Sequence, residues 1–345
     1  MKFDGSSWYT LKKRTRYKVA GIVSTLYRAG GEKLTERVYR SYLRKKTKQL
    51  KTKMGKDTVS FLFITDFHGG ANAWKSPEIV KYLAEKNDLR RIVFGGDFIT
   101  RSDPDKNKME KLGRKFYKSF CLENTSFLPV FGNHDNNSYE QKNNEAVFKI
   151  EEVERIIPVR IYRDDSLFQL RPFVYAIDSE IDKTRFIVLN TAFQEYIDKQ
   201  QVEWLNSTLY STKDGYNIVV VGHCWLEWNA KIKSYKPNEK TTKLFGIFDA
   251  YNKREITEFG DYKNCNGEIV MMIGGDIHND YVTYTDSGIP IILCDADAYK
   301  KTCNQYPPIS GHPYEQCLSA IVLNKSKREI DLIRIGRGKD RVLNY

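Results

Sequence analysis

The chain has 345 residues, 41% of them hydrophobic, and carries 56 Lys/Arg against 44 Asp/Glu for a formal net charge of +12. That length buries a sizeable core as one large domain or two modest ones, and no apolar run approaches the roughly 18–20 residues that cross a bilayer. Six scattered cysteines without a CxxC pair argue against a disulfide frame, and the first residues lack the apolar core and cleavage site of a signal peptide. The expectation is a cytoplasmic protein with reduced thiols, with peripheral membrane attachment as a variant.

The charge is concentrated at one end. Residues 1–57 hold 17 Lys/Arg and 4 Asp/Glu, a net of +13, whereas the remaining 288 residues hold 39 and 40, a net of −1. The chain therefore divides into a basic, partly helical arm over 1–57 and a nearly neutral body over 58–345. Within the arm a helix is expected over 32–54, where Leu34, Val38, Tyr42, Leu50 and Met54 fall near one face and Lys/Arg fill the others. Gly30-Gly31 and Gly55 mark its ends.

From residue 58 strands and helices alternate. Strand patterns occupy 59–65, 91–95, 127–131, 173–178, 184–189, 217–221, 269–273, 289–294, 319–323 and 329–335. Helical patterns occupy 76–87, 107–121, 140–157, 198–211 and 242–255. The alternation indicates α/β units, and the tail from 318 indicates a β-hairpin.

Five segments end a buried strand on a residue able to hold a metal. They are FITDFHG (Asp66, His68), VFGGDF (Asp97), VFGNHDN (Asn133, His134), VVVGHCW (His223) and IGGDIHN (Asp276, His278). Four of the five histidines lie at these strand ends; His312 is the exception. In open α/β sheets such positions line the ligand crevice. Each residue alone has an ordinary explanation, a His in a loop or an Asp capping a turn. Five together, drawn almost wholly from Asp, His and Asn, point to a mixed nitrogen and oxygen shell for Mn²⁺, Fe or Zn²⁺. A carboxylate can bridge two ions about 3.5–4 Å apart, and Asp97 suits that role.

The order D-x-H, G-D, G-N-H-D, G-H, G-x-x-H resembles the calcineurin-like metallophosphoesterase superfamily from about residue 59 onward, helped by QQVEWLNSTL between the third and fourth motifs. The resemblance implies a two-sheet β sandwich flanked by helices, a four-layer α/β/β/α arrangement. It implies two divalent metal ions, with Mn²⁺ leading and Fe²⁺, Zn²⁺ and Mg²⁺ as alternatives. Asp66, His68 and His278 would hold one ion and Asn133 and His223 the other, with Asp97 bridging. His134 would face the substrate and assist the leaving oxygen. Two departures stand out. The last motif has Asp276 where such proteins usually carry a metal-binding His, which makes the second position more anionic and harder. GDFITR has Thr100 where an Asp commonly orients the catalytic His, although Arg101 matches the family's Arg. The ending EIDLIRIGRGKDRVLNY is also similar to phosphoesterases of bacteriophages and Gram-positive bacteria.

The implied activity is hydrolysis of a phosphomono- or phosphodiester by in-line attack of a metal-bridging hydroxide, with Arg101 beside the phosphoryl oxygens. A nuclease is the sharper variant, its basic arm with Trp8, Tyr9, Tyr17, Tyr27, Tyr39 and Tyr42 following nucleic acid by charge and stacking. The ordinary reading of the arm is a solvated basic helix packed on the body or docked on an anionic membrane. A non-catalytic binding module of the same fold is the contrasting class.

Overall fold

The computed structural model describes residues 19–20, 22–25, 31–69, 75–98, 103–138, 144–230, 233–297 and 306–345. The strands are β1 Thr58–Ile64, β2 Arg91–Phe94, β3 Ser126–Pro129, β4 Asp165–Arg171, β5 Val174–Ser179, β6 Thr184–Val188, β7 Asn217–Val221, β8 Glu227–Asn229, β9 Ser234–Lys236, β10 Ile256–Thr257, β11 Gly260–Asp261, β12 Glu268–Gly274, β13 Tyr281–Tyr284, β14 Pro290–Leu293, β15 Cys317–Asn324, β16 Glu329–Gly336 and β17 Arg341–Asn344. The helices are α1 Gly31–Lys53, α2 Lys75–Asn87, α3 Lys106–Phe120, α4 Ile150–Ile156, α5 Lys199–Tyr210 and α6 Glu239–Lys253.

Two mixed sheets carry the architecture, one ordered β17-β16-β15-β1-β2-β3 and the other β13-β14-β12-β7-β6-β5-β4. Strands β1, β2 and β3 are parallel in the first, and β6, β7, β12 and β14 are parallel in the second. Their Val-, Ile- and Phe-rich runs are buried on both faces, as parallel strands covered by helices require. Between the sheets Phe61, Phe63, Val93 and Leu128 meet Ile177, Phe186, Val219 and Met271, with Phe61 edge-on to Phe186 at 5.3 Å. Outside the first sheet α1 to α4 contribute Tyr39, Leu83, Phe116 and Val153, and outside the second α5 and α6 contribute Leu205 and Phe248. The result is the four-layer sandwich expected, and no described helix is long and apolar enough to cross a membrane.

Helix α1 packs on the first sheet, but along a line different from the apolar periodicity. Among its described side chains Tyr39, Leu43 and the expected Leu50 are buried, while Val38, Tyr42 and Met54 are half-buried, so Tyr39 and Tyr42 pack on the body and do not offer their rings for stacking. The side chain of Leu34, and Trp8, Tyr9, Tyr17 and Tyr27, lie outside those described. Hydrogen bonds set this rotation: Tyr39 Oη donates to the His312 carbonyl at 2.9 Å, and Gly336 N–H donates to Tyr42 Oη at 2.8 Å.

The helix expected over 140–157 is shorter, a 3₁₀ turn at Asn144–Ala146 followed by α4. Residues 139–143 lie outside the described residues. The intervening backbone is bound elsewhere, since Asn137 Nδ2 donates to the Ala146 carbonyl and Phe148 N–H to that of Asn136. Those bonds tie the segment to the GNHD loop and leave the helix to start where Glu152 accepts from Lys149 N–H. Strands β4, β13 and β17 were not evident from the sequence. All three are sheet edges, and their mixed polar, partly exposed character hides them from a search for buried runs.

Candidate metal centre

Every parallel strand that leads to a ligand-type residue ends on the same edge of the sandwich. Asp66 and His68 follow β1, Asp97 follows β2, Asn133 and His134 follow β3, His223 follows β7, and Asp276 and His278 follow β12. The chain leaves these strands abruptly. Asp66, His68, Asp97, Asp276 and His278 all have positive φ, between 47° and 68°. Left-handed backbone at non-glycine residues costs of order 1–3 kcal/mol each and gathers at functional sites. The two D-x-H stretches are thus conformational twins, left-handed at both Asp and His. The middle residue anchors each: Phe67 is fully buried among Phe94, Phe98, Phe116 and Phe120, and Ile277 packs on the α5–α6 core.

Two donor groups result. In the first, Asp66, His68, Asp97 and His278 bring their ligand atoms within 4.8 Å of one another. His68 Nε2 stands 3.2 Å from His278 Nε2, and His278 Nε2 stands 3.1 Å from Asp66 Oδ1. Two nitrogens on one divalent ion at about 2.1 Å are about 3.0–3.4 Å apart, so this spacing fits an ion. In the second group His223 Nε2 lies 3.0 Å from Asn133 Oδ1, 3.4 Å from Asp97 Oδ1 and 3.8 Å from Asp276 Oδ1. His223 Nδ1–H donates to the Gly95 carbonyl at 2.7 Å, which turns Nε2 towards those oxygens. Asp97 serves both groups, because its Oδ2 is 3.5 Å from His68 Nε2.

Glycine makes the approach possible. A Cβ on Gly132 would collide with the Asp97 backbone and carboxylate, and one on Gly275 with Thr65 and Asp66. The backbone of the exit turns is held by Asp135, whose carboxylate accepts from Asp97 N–H at 3.1 Å, Phe98 N–H at 2.6 Å and Gly132 N–H at 2.7 Å.

The profile of the calcineurin-like phosphoesterase family matches residues 59–280. The chain belongs to the calcineurin-like phosphoesterases. No curated protein sequence matches it. Among solved structures it is similar to a dimetal phosphatase from Danio rerio, at 12% identity and a TM-score of 0.49, over 83% of this chain and 99% of that one. It is also similar to GAP50, described as the anchor in the inner membrane complex of Plasmodium, at 13% identity and a TM-score of 0.49, over 84% and 89%. As a calcineurin-like phosphoesterase the chain is a metal-dependent hydrolase of phosphoric esters.

The residues present in this phosphoesterase fit divalent ions. Asp66 Oδ1 is buried with the His278 imidazole as its neighbour, Nε2 3.1 Å away, inside a cluster of donor atoms whose negative charge a cation would balance. Burial pushes His68 down to about 4, so its imidazole is neutral and offers a lone pair. His278 is raised to about 9, since Asp66 and Asp97 outweigh the burial that would lower it. His223 is likewise held well above its usual range by Asp97, Asp66 and Asp276 against burial. Asp97 is held far below the usual carboxylate range by His223, His68 and His134, again against burial. The protons stand where a cation would, and an ion of double charge would displace them.

His134 sits at the mouth, its Nε2 3.8 Å from Asp97 Oδ2 and its ring edge-on to His68 at 5.0 Å. Arg101 and Thr100 lie outside the described residues. Two contributors escaped the sequence reading. Asp135 stood in the quoted G-N-H-D motif, but nothing in one sequence reveals three backbone donors converging on it. Cys224 follows His223 directly, and its Sγ joins His223 and Asp276 in a second group of ligand atoms within 4.8 Å of one another.

Proposed function

We propose that the chain hydrolyses a phosphomono- or phosphodiester at a dinuclear centre. Asp66, His68 and His278 hold one ion, Asn133, His223 and Asp276 hold the other, and Asp97 bridges. The observation that carries this reading is the division of the Asp97 carboxylate, with Oδ2 3.5 Å from His68 Nε2 and Oδ1 3.4 Å from His223 Nε2. Divalent ions there supply positive charge to the phosphoryl oxygens and acidify the water that attacks.

The chain's own groups do the rest. His134 N–H donates to Asp97 Oδ1 at 2.9 Å, so the bridging carboxylate and the catalytic imidazole are held in one frame. The His134 ring, 21% exposed, is the group assigned to give a proton to the leaving oxygen, and its partial exposure beside Asp97 supports that assignment. Arg101 is assigned to the phosphoryl oxygens on the family resemblance. The oxygen-rich shell favours Mn²⁺, with Fe²⁺, Zn²⁺ and Mg²⁺ as alternatives.

The test is chelation followed by reconstitution, with nitrophenyl phosphomonoester, its diester and single-stranded DNA as substrates. EDTA should abolish turnover, Mn²⁺ should restore it best, and elemental analysis should find two ions per chain. Full activity in excess EDTA, or saturation at one ion, would overturn the dinuclear reading. A nuclease reading is favoured by one further observation, the exposed basic face of α1 formed by Arg37, Arg44, Lys45 and Lys48.

A further inference from the structure

The two donor groups differ in chemistry. Around His68 and His278 are two imidazoles and two carboxylates, whereas around His223 are a single imidazole, the Asp97 and Asp276 carboxylates and the neutral Asn133 amide. The second group has one strong nitrogen donor, and the structure puts a sulfur beside it. Cys224 Sγ lies with a His223 ring nitrogen and an Asp276 carboxylate oxygen inside 4.8 Å.

The backbone holds the sulfur there. Cys224 N–H donates to Thr191 Oγ1 at 3.1 Å, and the next residue, Trp225, is fully buried with Nε1–H donating to the Ile273 carbonyl at 3.0 Å. With His223 bound to the Gly95 carbonyl, three consecutive side chains or amides are pinned to three different segments. The thiol contacts the Ala192 carbonyl, Sγ to O at 3.7 Å, and the Asp276 carboxylate, which is the side chain it would share an ion with.

We propose that Cys224 is a ligand of the second ion, binding through Sγ as a thiolate after its proton leaves to solvent. This rests on the dinuclear reading above and adds to it a soft donor that the ordered motif does not contain. Thiolates select Zn²⁺ and related softer ions over Mg²⁺ and Mn²⁺. The sulfur therefore offsets the hardening effect of Asp276 at the second position.

Cobalt reports this directly, because thiolate ligation adds a near-ultraviolet sulfur-to-cobalt charge-transfer band that nitrogen and oxygen donors lack. Metal-free full-length protein should take up two equivalents of Co²⁺, with that band rising alongside only one of them. Cys224→Ser should lose the band and keep the visible ligand-field bands of the other ion. Two equivalents bound without a charge-transfer band would overturn the proposal and leave the dinuclear reading intact. A band that persists in Cys224→Ser would overturn it too. Failure to bind cobalt at all would overturn both readings. Should Cys224→Ser not fold, alkylation mapped by mass spectrometry on the wild-type chain decides. Zn²⁺ should protect Cys224 from iodoacetamide, and unchanged labelling would reject the thiolate.

Discussion

Asn133 and His134 are neighbours in sequence to which the proposed mechanism gives separate tasks. Asn133 Oδ1 faces His223 Nε2 at 3.0 Å, inside the second donor group, while the His134 ring stands at the mouth beside Asp97. His134→Ala should therefore keep two ions and lower turnover by about 10²–10⁴-fold. Asn133→Ala should instead lose the second ion. Elemental analysis with turnover on the same samples separates them, and metal loss in His134→Ala alone would reverse the roles. His278 supplies a pH dependence. Its proton is held up to about pH 9 in the metal-free centre, so an ion must displace it. Apparent affinity at the first position should fall below pH 9, about tenfold per unit for each proton released. For the metal-free fold the sign is opposite. The raised value stabilises fully below about 6.5 and is lost as pH rises through about 9. Calorimetry in two buffers of different ionisation enthalpy reads the release, and no proton released at pH 7 would contradict it.

At the scale of elements, the decisive feature is the exit from β1 into α2. Asp66 and His68 are left-handed on either side of Phe67, whose ring lies 4.9 Å from Phe116 and 5.1 Å from Phe120, edge-on to both. The aromatic cluster anchors the turn and so aims both side chains. Phe67→Ala should cost about 3–5 kcal/mol of stability, as other buried Phe truncations do. It should also weaken the first ion more than the second, although residue 67 touches neither. Denaturation of the metal-free protein together with cobalt titration checks both effects. Equal loss at the two positions would show that Phe67 supports the fold without orienting the site.

For the whole molecule, α1 presents two different faces. One face is core, since Leu50 is fully buried and Tyr39 and Leu43 nearly so, whereas Arg37, Arg44, Lys45 and Lys48 point to solvent. Leu50→Ala should lower stability by about 2–5 kcal/mol, which makes deletion of the arm a poor test of its charge. Replacing Arg37, Arg44, Lys45 and Lys48 by Gln should leave the melting temperature and nitrophenyl phosphate turnover nearly unchanged. It should weaken single-stranded DNA binding and flatten its salt dependence, because each phosphate contact releases counterions. Affinity equal to wild type at low salt would end the polyanion role of this face.

Local pattern carried much of this protein. Buried runs such as SFLFI and IVVV announce strands because both faces are covered, and the glycines before Asp97, Asn133, His223 and Asp276 announce sharp exits. The residue types at those exits already pointed to metal chemistry, since few other tasks need Asp, His and Asn together. What the sequence could not show is anything made by convergence. Asp135 acquires its role only when three amides from two loops meet it, and Cys224 only when β7 and β12 place it beside Asp276. Edge strands such as β4 and β17 stayed hidden because they bury too little to leave a pattern. The rotation of α1 was decided by Tyr39 and Tyr42 reaching partners more than 270 residues away. Periodicity records which residues prefer to be buried, but the partner surface decides which of them are.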